Sequence, residues 1–338
     1  MKKQKKIRPF GNETPFAWVI ETVHGCNLSC GHCCNALTSS TEFDFMEIKT
    51  WKKCWKIINE TAPTIRVDLC LAGEPTLHPE LIKFLKIARK LAPLTQIQIT
   101  TNGTMIAKRK YTYKELLDAG ANVIYTDMYA PKELFKQLAK DSGYDWYEYY
   151  DAPEGVISPW TYYGPDVKVI VLQEQPENWP KSRLKAGLLG TWYNHLDWDA
   201  AKRFGLKPVV TPPARRCNQP FQYVSIHVSG SYLLCCQDGW GEGAGQFGNV
   251  SDGVAGFKKY WFGEQMMTIR RRLRNKNRID TPYCSRCCIT FSRCDYINWK
   301  ENELNMYWNG IEWIYLPDQN ITDPKWTLKE KQKKKGIL

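Results

Sequence analysis

The chain has no run of about 18 apolar residues, the length a membrane-spanning helix needs, so no membrane segment is expected. It also lacks a secretory signal: MKKQKKIRPF at the start is basic, but no apolar segment follows it. A cytoplasmic location is therefore expected, and in a reducing compartment the 13 cysteines read as metal ligands or redox groups rather than as disulfides. The body of the chain is also poor in net charge. Of the formal +12, the first eight residues carry +5 and KEKQKKK near the end carries +4, which leaves +3 for everything between. Both ends read as solvated extensions. No recognisable nucleic-acid-binding module accompanies the charge. One internal block, RRRLRNKNR at 270–278, reads either as a solvated helix face or as a phosphate or nucleic-acid contact.

What is present begins with HGCNLSCGHC at 24–33, which sets Cys26, Cys30 and Cys33 at C-x3-C-x2-C spacing with no fourth cysteine in that pattern. A structural zinc site takes four ligands, usually as two separated pairs. Three thiolates on one tight loop suit a [4Fe–4S] cluster in which three irons are held by the protein and the fourth stays open for chemistry. The plainer reading is a zinc loop completed by His24 or His32.

With 338 residues and 43% apolar content, the chain can bury a large α/β domain and a smaller one. FAWVIETVHGC (16–26) leads as a strand into the cysteine loop. Strands are predicted over IRVDLCLAGEP (65–75), TQIQITTNG (95–103), NVIYTDM (122–128) and DVKVIVLQE (166–174). Helical spacing is found over 45–60, 77–92, 113–120 and 131–140. This alternation predicts a parallel sheet of βαβ units, with the cysteine loop, AGEP, TNG and Asp127 all at strand C-termini, where parallel barrels keep their active residues. From 140 to 165 the pattern fails in a segment rich in aromatics, Gly and Pro, read as an insertion or lid.

A second set of cysteines follows. YVSIHVSGSYLLC reads as a hairpin turning at Ser229-Gly230, which would bring Cys217 and Cys235 together, and Cys284-x2-Cys287 adds a C-x2-C pair. Seven cysteines lie beyond residue 210, one short of the eight that two all-cysteine clusters need. A second iron–sulfur cluster and a zinc knuckle both fit this set. Cys34, Cys70, Cys236, Cys288 and Cys294 are left as spare thiols or small buried residues, and Cys54 as packing on a helix.

Together these residues resemble the radical S-adenosylmethionine (SAM) superfamily, in the branch with a C-terminal SPASM or twitch domain. The resemblance implies a partial (βα)6 TIM-like barrel over 16–210, a small α+β twitch/SPASM-like iron–sulfur domain over 211–300, a basic N-terminus over 1–15 and an extension with a basic tail over 301–338. It implies that Cys26, Cys30 and Cys33 hold a [4Fe–4S] cluster. SAM would bind near His32, Ala72, Gly73, Glu74, Thr101, Asn102, Asp127 and Arg183. Cys217, Cys235, Cys284 and Cys287 would hold one auxiliary [4Fe–4S] cluster, with Cys236, Cys288 and Cys294 as possible substitutes. Ala72 replaces the first Gly of the family's GGEP.

The implied activity is reductive cleavage of SAM to a 5′-deoxyadenosyl radical, which takes hydrogen from a substrate C–H bond. An electron donor such as flavodoxin or ferredoxin is implied, and a substrate that is a peptide or protein side chain or a sugar-like molecule. Only about 15 residues precede the first strand, so a leader-binding domain at the start is not expected. The alternative from another class is a zinc-stabilised, non-catalytic nucleic-acid-binding protein.

Overall fold

In the computed structural model, the residues described are 15–28, 42–129, 131–149, 162–174 and most of 217–284, together with two short strands, Met306–Trp308 and Trp313–Tyr315. The main sheet is built from β1 (Ala17–Ile20), β4 (Arg66–Leu69), β5 (Gln96–Thr101), β6 (Val123–Met128), β7 (Asp145–Glu148), β8 (Val169–Glu174), β9 (Tyr223–Ile226) and β10 (Tyr232–Leu233). Its order is β10-β9-β1-β4-β5-β6-β8-β7, and every pair is parallel except β9 with β10. A short antiparallel ladder of β2 (Val23–His24) with β3 (Asp44–Phe45) stands apart and carries the cysteine loop.

The helices α1 (Ile48–Thr61), α2 (Leu81–Leu91), the single-turn α3 (Thr104–Ala107), α4 (Tyr113–Asp118) and α5 (Lys132–Asp141) cover one face of this sheet. Each exists because its apolar residues recur at helical spacing: Trp51, Cys54, Trp55, Ile57 and Ile58 line the buried side of α1. Thr112 and Glu115 start α4 with reciprocal caps, each side chain bonding the other's backbone N–H. These helices meet every second residue of the strands, Trp18 and Ile20, Val67 and Leu69, Ile97 and Ile99, Val224 and Ile226, in a single apolar core. The remaining residues, among them Ala17 and Val19, Val123 and Tyr125, Val169 and Val171, and Tyr223, face the other way and form the inner wall of an open barrel. Cys54 is fully buried on α1, as a packing residue should be, and burial pushes its thiol up to about 12.

Two expectations change. The break from 140 to 165 does not begin as a lid, since Asp145–Glu148 is the edge strand β7, parallel to β8; residues 150–161 lie outside the described set. The hairpin assigned to a separate C-terminal domain joins the barrel: β9 pairs with β1 from Ala17↔Tyr223 to Ile20↔Ile226. No helix among the described residues is long and apolar enough to cross a membrane.

Candidate active site

The described candidates for the first cluster and for SAM lie after β1 and β2 and at the C-terminal ends of β4, β5 and β6. Past β2 the chain turns through Gly25, whose φ of 110° is in the left-handed region, and reaches Cys26. Ala72, Gly73 and Glu74 follow β4 and press against that entry. A Cβ on Gly73 would stand 1.6 Å from the Val23 carbonyl oxygen, so only glycine lets the two backbones approach this closely. The Glu74 N–H donates to the Gly25 carbonyl at 3.0 Å.

Glu74 is 3% exposed, and its carboxylate accepts four hydrogen bonds. Oε1 takes the Thr76 N–H at 2.9 Å, the Thr76 hydroxyl at 2.5 Å and the Thr101 hydroxyl at 2.6 Å. Oε2 takes the Asn102 N–H at 2.7 Å. Burial raises this carboxyl above its ordinary value, and the four donors oppose the shift. The carboxylate therefore clamps the loop after β4 to the end of β5, and Thr101 serves that clamp.

Asn102 makes the next link. Its Nδ2 donates to Cys26 Sγ at 3.4 Å and to Asn27 Oδ1 at 3.0 Å. Its Oδ1 accepts from the N–H of Thr104 at 3.0 Å and from its hydroxyl at 2.7 Å. The Leu28 N–H also donates to Cys26 Sγ, at 3.4 Å. Leu28 and Asn102 thus place two N–H donors on one sulfur, a contact that a cluster-ligating thiolate can accept. Asn27 and Thr104, joined at 2.7 Å, complete this network. Sequence reading missed both; the signal available was Asn27 beside the first cysteine and Thr104 opening a turn after Gly103.

Asp127 is half-buried in β6, paired in register with Gln173 of β8. Cys30, His32, Cys33, Arg183 and Cys287 lie outside the described residues, as do Cys34, Cys288 and Cys294.

At the second cysteine set, Cys217 and Cys235 are both buried, and Cys236 and Cys284 are half-buried. The hairpin turns at Gly230, φ 83°, whose N–H donates to the His227 carbonyl at 2.8 Å. Its tip lies against Thr50 of α1 and against Val250. The helix Gly253–Phe262 braces it: Tyr260 stacks on Tyr232 at 4.4 Å, and its hydroxyl donates to the Leu233 carbonyl at 2.9 Å. Cys70 and Cys236 pack on the inner-wall cluster with Tyr223 and Leu233, and burial pushes the Cys70 thiol well above its ordinary value.

The basic block is not one solvated face. On the helix Glu264–Arg274, Arg270 is 1% exposed; its guanidinium lies 4.1 Å from the Trp261 ring centre, and its Nε donates to the Pro220 carbonyl at 2.9 Å. Arg271 pairs with Glu264, and Arg272 donates to the Asp280 carbonyl. The described part of the block is structural or internally paired.

Comparison with known proteins agrees with this geometry. A model of the radical SAM superfamily matches residues 20–155, and a model of the SPASM iron–sulfur cluster-binding domain matches 217–288. A 7,8-dihydro-6-hydroxymethylpterin dimethyltransferase of Methanocaldococcus jannaschii is 32% identical over 109 residues, 31% of this chain and 21% of that protein. The chain thus spans about a fifth of the length of the curated relative it matches. The crystal structure of BtrN in complex with AdoMet and 2-DOIA superposes with a TM-score of 0.57 at 18% identity, over 83% of this chain and 95% of that one. Selenomethionine BtrN in an open conformation gives 0.51 at 15% identity, over 80% and 91%. The fold is shared with these structures, the cysteine loop falls inside the first match, and Cys217, Cys235, Cys284 and Cys287 fall inside the second. The chain therefore carries a radical SAM superfamily domain over residues 20–155 followed by a SPASM iron–sulfur cluster-binding domain over 217–288.

Proposed function

We propose that this enzyme takes a hydrogen atom from a C–H bond of a polar, sugar-like small molecule held against the inner wall of the barrel. When bound, the [4Fe–4S] cluster and SAM supply a 5′-deoxyadenosyl radical. The chain's own residues do the positioning. Cys26, Cys30 and Cys33 hold the cluster, with Leu28 and Asn102 donating to the first of these sulfurs. The backbone of Ala72-Gly73-Glu74 receives the amino group of SAM, fixed in place by the Glu74 clamp. Thr101, Asn102 and Asp127 stand beside the cofactor at neighbouring strand ends, and His32 and Arg183 complete its contacts. Cys217, Cys235, Cys284 and Cys287 would hold one auxiliary cluster, which would supply electron transfer or substrate binding. The reductant is a flavodoxin- or ferredoxin-like protein. The barrel spans 16–210 with β9 and β10 added to its sheet, the cluster-binding region runs to 300, and 301–338 is an extension.

The observation that carries this reading is the junction of Cys26, Gly73, Glu74 and Asn102. Three loops far apart in sequence meet there, and one carboxylate and one amide fix them around a sulfur that receives two N–H donors. The small-molecule substrate is supported by the likeness to BtrN, which covers most of both chains, and by polar residues on the inner wall, such as Gln98 and Ser225. A peptide side chain is the second reading, carried by the family alone.

The test is anaerobic reconstitution with iron and sulfide, then an assay for 5′-deoxyadenosine after adding SAM and dithionite. About eight irons per chain with 5′-deoxyadenosine formed is the expected result, and Cys26→Ala should abolish the product. Tightly bound zinc with no SAM cleavage would overturn the proposal in favour of a zinc-stabilised nucleic-acid-binding protein.

A further inference from the structure

Glu21, His24 and His227 form a compact group on the inner wall that the cluster and SAM sites do not use. The alternation of β1 carries it there: Ala17 and Val19 face inward, and Glu21 continues that parity past the strand end. On β9, Tyr223 faces inward and His227 continues the same alternation. The Glu21 side chain is fully buried, while those of His24 and His227 are 24% and 15% exposed.

The two carboxylate oxygens face different rings, and Oε2 also accepts the Val228 N–H at 3.2 Å. Oε1 lies 3.0 Å from His24 Nδ1, and Oε2 lies 3.6 Å from His227 Nε2, too far for a hydrogen bond. One ligand atom from each residue lies within 4.8 Å of the others. Ligands at 2.0–2.2 Å from a common ion are roughly 3 to 3.5 Å apart when adjacent, so small side-chain movements close the set around a metal. His227 Nδ1 is held by Ser229, whose hydroxyl lies 2.9 Å away and whose N–H donates to it at 3.3 Å. With Nε2 on an ion, the proton would move to Nδ1, which would then donate to the Ser229 hydroxyl in place of accepting the N–H; that hydroxyl donates on to the Ser231 hydroxyl at 3.0 Å. Gly241 lies against the ring so tightly that a Cβ there would come 2.7 Å from Cδ2. Asp44 pairs in register with His24 and adds negative charge nearby.

We propose that Glu21, His24 and His227 bind one divalent transition-metal ion on the inner wall of the barrel, leaving positions open for an oxygen ligand. Two imidazoles and one carboxylate are the donor set of open sites for zinc, iron(II) and manganese(II). The site would place an oxygen-binding ion beside the cysteine loop, where the reading above puts the substrate. Its place relative to the substrate rests on that reading, but the site itself does not.

Manganese(II) is the probe, because it favours oxygen and nitrogen ligands over thiolates. Reconstituted holoenzyme is titrated with Mn2+, and the free ion is counted by its electron paramagnetic resonance signal. One saturable ion per chain is expected, and the bound ion should enhance water-proton relaxation because a coordination position stays open. His227→Ala and Glu21→Gln should weaken binding at least tenfold while iron content and unfolding temperature are retained. No saturable Mn2+ in the wild-type holoenzyme overturns the proposal whatever the variants do. So does binding that both variants leave unchanged, or zinc that X-ray absorption finds on sulfur. An enzyme with full iron and SAM cleavage but no Mn2+ site refutes this inference alone; Mn2+ binding without SAM cleavage refutes the radical reading alone.

Discussion

The two faces of the main sheet are made by the same strands yet differ in kind. The helix side takes Trp18, Ile20, Val67, Leu69, Ile97, Ile99, Val224 and Ile226 into one apolar core. The inner side mixes Val19, Val123 and Val171 with Gln98, Ser225, Glu21 and His227. A parallel sheet covered on both faces reads as continuous apolar runs. The alternation in TQIQITT marks a second face that takes polar residues, and among the described residues the fold is held mainly from the helix side. Stability and function are thus separated by residue parity.

That separation can be broken most severely where backbone meets backbone. Gly73→Ala should abolish SAM-dependent 5′-deoxyadenosine formation and lower soluble yield, because its new methyl has no room beside the Val23 carbonyl; retained activity would show that the loop moves freely. Trp18→Ala, on the helix side against Phe257, should destabilise by about 3–5 kcal/mol in anaerobic denaturant titrations. Glu74→Gln replaces one acceptor oxygen with an amide donor facing hydroxyls and N–H groups. A loss of about 2 kcal/mol is expected, with SAM affinity falling alongside it. Smallest should be Gln98→Leu on the inner wall. The Gln98 Oε1 has no hydrogen-bond partner, and its replacement should change stability by no more than about 1 kcal/mol. An inner-wall substitution as severe as Trp18→Ala would refute the division between faces.

Much of this was legible in the sequence. The period of two in TQIQITTNG and the helical spacing of WKKCWKII place β5 and α1, and both lie where expected. The C-x3-C-x2-C loop after a strand and AGEP after the next one point to the family without coordinates. Other features were hidden because they depend on distant partners. Arg270 stands in a run of basic residues that reads as solvated, yet Trp261 and the Pro220 carbonyl make it a buried residue. The resemblance puts Thr101 and Asn102 near SAM; that Thr101 bonds the Glu74 carboxylate, and that Asn102 bonds Glu74, Cys26 and Asn27, has no signal in the sequence. Asp145–Glu148 was hidden in an aromatic segment because an edge strand needs only one neighbour. The pairing of β9 with β1 leaves no local trace at all.

That pairing bears on the order in which the molecule is made. β1 lies between β4 and β9, and β9 is the last of the parallel strands to be synthesised. While the chain emerges, the first strand of the barrel waits with one row of N–H and carbonyl groups unpaired until Tyr223–Ile226 arrives. An open strand edge is a template for other chains, and contacts between distant segments form slowly. A nascent chain stalled before β9 would carry the cysteine loop beside an unsealed edge, so synthesis must run through the hairpin before that edge is covered.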